Sequence, residues 1–60
     1  MKQYVVFFKD GYQMSVFCDS FEYKNASLSF RLSGAQIVVI DCQIVKCVRC
    51  NGAEMWKSGV

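Results

Sequence analysis

Residues 27–33, SLSFRLS, alternate polar and apolar without a break, and most of the chain repeats that period of two. Side chains that face one way at every second residue belong to a pleated strand. In this stretch Leu28, Phe30 and Leu32 make the inward row, and Ser29, Arg31 and Ser33 the outward row. No segment carries the 3.6-residue repeat of a helix of useful length. The chain is therefore restricted to an all-β fold.

The same reading extends in both directions. Gln3–Lys9 (QYVVFFK) is β-branched and aromatic on both faces, and the Asp10-Gly11 step after it is a hairpin signal. YQMSVFC then places Tyr12, Met14, Val16 and Cys18 on one face, with Gln13, Ser15 and Phe17 on the other. At Asp19–Ser20 the apolar set moves to odd positions, Phe21 and Tyr23. Such a phase change predicts a bulge or a sharp bend in a long strand. KNAS and GA supply the next turns. QIVVI reads as a strand covered on both faces, and IVKCVR as the last strand.

The expected fold is thus a five-stranded antiparallel meander closing into a small SH3-like or Sm-like barrel over residues 1–50. It closes by bending its second strand to serve two sheets. Residues 51–60 have no usable period and read as a C-terminal tail, frayed or folded back so that Met55 and Trp56 cover an open end.

Sixty residues make one domain with a marginal core. Yet 53% of the residues are apolar, more than a small, fully solvated monomer needs. A barrel of this size has one interior, so the second apolar faces of the first strand and of QIVVI are left over. Either the tail or another copy of the chain covers them, which predicts a homo-oligomer formed by edge-strand pairing. The net charge is only +2, and Lys2, Lys9, Lys24, Arg31, Lys46, Arg49 and Lys57 are scattered along the sequence. That is weak ground for nucleic acid. The apolar run Tyr4–Phe8 is cut short by Lys9 and Asp10, and Ile37–Ile40 is far shorter than a membrane span. These features predict a soluble, cytoplasmic chain with no membrane partner.

VFFKDGYQMSVFCDSFE resembles the first-motif region of bacterial Sm-like proteins, an RNA-chaperone family. The shared positions are Asp10 and Gly11 at the turn, followed by Asp19, Ser20, Phe21 and Glu22 at the same distance from the glycine. The resemblance covers about the first third of the chain and implies a small barrel with an RNA-binding role. The family's second motif, a Lys-His-Ala-type step, falls at IDCQIV, where this chain has Asp41, Cys42 and Gln43. The chain is also similar in general pattern to short β-meander proteins of phages and mobile elements. That likeness implies an accessory protein that occupies a host factor.

Three of the four cysteines lie in DCQIVKCVRCNG. Cys47-x-x-Cys50 before Asn51-Gly52 has the form of a zinc knuckle, and Cys18 and Cys42 complete a four-sulfur set. Against zinc, a strand running through Cys50 sets Cys47 and Cys50 on opposite faces, with Cα atoms roughly 10 Å apart at about 3.3 Å per residue. No second C-x-x-C is present, and free cysteine commonly behaves as a small buried hydrophobe. Core thiols without a cofactor are the expectation, with zinc as the alternative. With no histidine in the chain, a cysteine nucleophile lacks its usual base, so the chain is not expected to be an enzyme. The function expected is a small non-catalytic module for protein–protein interaction. Partner contacts are assigned to Phe17, Tyr23, Lys24, Arg31 and Trp56. An Sm-like RNA binder and a structural zinc domain are the alternatives.

Overall fold

A computed structural model describes residues 1–59; Val60, the end of the expected tail, lies outside the described residues. Seven strands and one 3-10 turn follow in order: β1 Lys2–Phe8, β2 Gln13–Cys18, β3 Ser20–Lys24, β4 Ser27–Leu32, β5 Ala35–Asp41, the 3-10 turn Cys42–Ile44, β6 Val45–Cys50 and β7 Ala53–Lys57. They form two antiparallel sheets, ordered β2-β1-β6-β7 and β3-β4-β5. The fold is all-β, and neither sheet closes on itself.

The phase change at Asp19 marks the place where the chain leaves one sheet for the other. β2 pairs with β1 and β3 pairs with β4, with Asp19 alone between them. Successive residues of β3 then meet successive parts of the four-stranded sheet. The Cys18 thiol lies 3.4 Å from the Ser20 carbonyl, Phe21 packs on Tyr4 of β1 and Tyr23 on Trp56 of β7, each pair with centroids 5.8 Å apart. β3 therefore runs across the first sheet, and the core fills the angle between the two.

That core is built from the inward rows. Tyr4, Val6, Val16, Cys18, Val48 and Cys50 come from the four-stranded sheet, and Leu28, Phe30 and Ile40 from the three-stranded one. Tyr4, Phe21 and Phe30 form an aromatic triad with centroids 5.1–5.8 Å apart, within the range where tilted and edge-on rings attract. Phe30 is the largest side chain wholly removed from solvent.

The structure corrects the sequence reading in three places. The meander has seven strands rather than five, because the bent strand divides at Asp19 and residues 53–57 form β7 instead of an aperiodic tail. β7 escaped notice because its alternation is broken. Val48 faces Trp56 while Arg49 faces Glu54, leaving Met55 as the extra residue of a bulge. Third, QIVVI is not covered on both faces. β5 is an edge strand, and Ile37 and Val39 are 46% and 50% exposed.

Three hairpin turns use two consecutive residues of positive φ: Asn25–Ala26, Ser33–Gly34 and Asn51–Gly52. Such turns match the twist of the strands they join. Ala26 (φ 58°) is the costly member, because its Cβ crowds the backbone in the left-handed region. Ala26→Gly is expected to raise the midpoint of thermal unfolding by several degrees, the shift expected of about 1 kcal/mol in a domain this small. A lowered midpoint would show that Ala26 is not strained.

Burial pushes the Cys18 thiol above its ordinary value of 9.0, and the neighbouring charge of Asp19 adds to the shift. Burial likewise raises Tyr4 above 10.0, with the Cys50 and Cys18 thiols beside it contributing. In both cases the protonated form is the one the fold favours. Their contribution to stability is complete below the unfolded values and is lost as pH rises through the folded ones. Thermal unfolding is expected to hold steady up to the ordinary thiol value and to weaken above it. Stability that keeps rising well into the alkaline range would contradict this.

Candidate functional site

The outer face of the four-stranded sheet carries the most organised group of polar side chains. Strand pairing sets two rows there: Ser15–Val5–Arg49–Glu54 and Gln13–Phe7–Cys47–Lys57. Between β1 and β6 a bulge inserts Lys46, because Phe7 faces Cys47 while Phe8 faces Val45. The result is an open groove of about 510 Å³ lined by Phe7, Lys46, Cys47, Arg49, Glu54 and Lys57. Cys47 and the half-buried ring of Phe7 make its floor. The three cations are exposed, and among the described residues none of them is held in an ion pair.

The fold thus gathers charges that look scattered in the sequence. The chain has seven cations and five carboxylates. Three of those cations and one carboxylate line this groove, and the remaining four of each sign balance. The whole formal charge of +2 resides on one face.

The five side chains assigned to a partner do not form one site. Tyr23 and Trp56 meet at the seam between the sheets, rings tilted by 31°. Lys24 follows Tyr23 but alternates to the other side of β3. Arg31 lies on the outer face of the three-stranded sheet, where its guanidinium donates to the Gly34 carbonyl at 3.4 Å. Phe17 is 56% exposed and lies opposite Gln3, on the same outer face as the groove. Sequence reasoning passed over Phe7, Lys46, Glu54 and Lys57. Pairing a hairpin across Asn51-Gly52 would have brought Glu54 beside Arg49. The bulge that admits Lys46 reverses the alternation within β6, which the sequence reading took as one regular strand.

The cysteines point in different directions. Cys18 and Cys50 belong to the core, Cys47 stands on the opposite face of β6, and Cys42 sits half-buried in the 3-10 turn. Among the described residues, no group of three or more His, Cys, Asp or Glu side chains converges as a metal site would require. No family model, curated protein or solved structure matches the chain.

Burial orders the thiols by reactivity, since a raised pKa and a closed surface both protect a thiol from alkylation. Under native conditions N-ethylmaleimide is expected to label Cys42 first and Cys18 only on unfolding, read by mass spectrometry of peptides. Early labelling of Cys18 would mean that the core opens more readily than this packing implies.

Proposed function

We propose that this chain is a small non-catalytic binding module that works through protein–protein contact, and that the free edge of β5 is where two copies join. The observation that carries this reading is the exposure of Ile37 and Val39 on an unpaired edge strand. An edge strand offers a row of free backbone donors and acceptors, and soluble proteins usually protect it with lysine, proline, inward charge or a bulge. β5 has neither lysine nor proline, its one charged residue is Asp41, and the bulge at Ile37 is the one such device it carries. A two-fold axis at Val38 sets Ile37 of one copy opposite Val39 of the other. It also brings each Asp41 to the Ala35 end of its neighbour, on the same face as Arg31. The pairing is complementary in both apolar contact and charge.

Two further features support the reading. The two sheets share a core and are continuous through Asp19, which favours treating them as halves of a small, partly open SH3-like barrel, a scaffold suited to surface binding. The titratable side chains around the groove are spread along strands rather than aimed at one point, which favours binding over catalysis.

Sedimentation equilibrium tests the assembly. The native chain is expected to run as a dimer. Val39→Lys, at an exposed position with little bearing on the fold, is expected to raise the dissociation constant at least tenfold. A native chain that stays monomeric at high micromolar concentration would overturn the proposed edge pairing.

A further inference from the structure

We propose that the outer face of the four-stranded sheet binds single-stranded nucleic acid, with Lys46, Arg49 and Lys57 on the phosphates and Phe7 and Phe17 against bases. Non-sequence-specific binders of single strands combine a positive groove that follows the backbone with aromatic faces on which bases stack. Both parts are present on one surface here. The groove holds the chain's entire net charge, on cations with no intramolecular ion pair among the described residues. Phe7 forms the groove floor, and Phe17 stands on the same face, two rows along through Val5 and Gln3. The amides of Gln3 and Gln13 and the Ser15 hydroxyl fill the same face with groups that can meet sugars and base edges.

An acidic peptide is the competing occupant, because it too would seek the three cations. The aromatics decide between them. A carboxylate-rich strand gains nothing from an exposed ring such as Phe17, whereas every base has a π-face to place on it. The site is separate from the β5 edge, so this inference does not rest on the proposed self-association.

Fluorescence anisotropy with short labelled oligo(U) and oligo(dT) tests it on the full chain. Both are expected to bind, since stacking and phosphate contact require neither a particular base nor a 2′-hydroxyl. Three phosphate contacts on a single strand predict a slope of about −2 in log affinity against log salt, a loss of roughly 20-fold between 50 and 200 mM. Arg49→Ala with Lys57→Ala is expected to cut that slope to about −0.7. Phe17→Ala is expected to weaken binding about tenfold while leaving the slope unchanged. Lys9→Ala with Lys24→Ala removes the same charge elsewhere and is expected to matter little. Circular dichroism of each variant establishes that it is folded. Absence of binding at low salt would overturn the proposal. So would equal loss in the Lys9 and Lys24 control, or a poly-glutamate peptide that binds more tightly than either oligonucleotide.

Discussion

Everything in this fold turns on the corner at Asp19. Its backbone N–H donates to the Arg31 carbonyl at 2.8 Å, and its carboxylate accepts from the Ser33 N–H at 2.9 Å. One residue thereby anchors the break between β2 and β3 to the far end of β4 and to the turn that follows it. Without that corner, β3 would run on past the start of β1, since Cys18 already pairs with Lys2, and its odd-numbered aromatics would face solvent. With it, Phe21 swings over Tyr4 and Phe30 and the two sheets share a single core. The bonds are local, but they decide whether sixty residues have an inside.

The small size of that inside explains the surface. A core that rests on about ten buried side chains leaves much of an apolar-rich sequence outside it. The bulges then determine what the outside presents. Lys46 is displaced at the β1–β6 bulge, Met55 at the β6–β7 bulge and Ile37 at the β4–β5 bulge. Each extra residue reverses the alternation of its strand, so a side chain that simple periodicity would bury emerges, or one it would expose turns inward. The groove is a product of this device, whereas Ile37 and Val39, two residues apart, share the outer face by alternation alone.

The same device sets what could be read from the sequence. β4 was legible because Leu28 and Phe30 alternate with serines along the part of the strand that pairs regularly. The bend was legible as well, since an apolar set that moves from Cys18 to Phe21 can stay buried only if the strand turns between them. β7 was not, because Glu54 and Trp56 stand two residues apart yet face opposite sides of the sheet. QIVVI misled for a different reason. A continuous apolar run fits a strand buried on both faces and equally an edge strand whose outer face awaits a partner, and only topology separates the two. For the site, no one-dimensional scan could bring Lys46, Arg49 and Lys57 together, because their proximity depends on a bulge and a hairpin.

Charge divides the molecule into two faces of different character. On the outer side of the three-stranded sheet, Glu22 and Asp41 balance Lys24 and Arg31. On the outer side of the four-stranded sheet, three cations meet one carboxylate. A neutral sheet can extend edge to edge with its own copy without accumulating like charge, whereas a cationic one resists doing so. This difference in charge supports the proposed self-association at β5 and the proposed polyanion site on the opposite sheet. The two proposed surfaces do not compete, and a pair of copies joined through β5 would carry two grooves in fixed relation. A strand long enough to span both would engage the second groove at the high effective concentration set by the first. For a chain with only three cations per groove, that gain would be the physical route from weak contact to useful affinity in the proposed dimer.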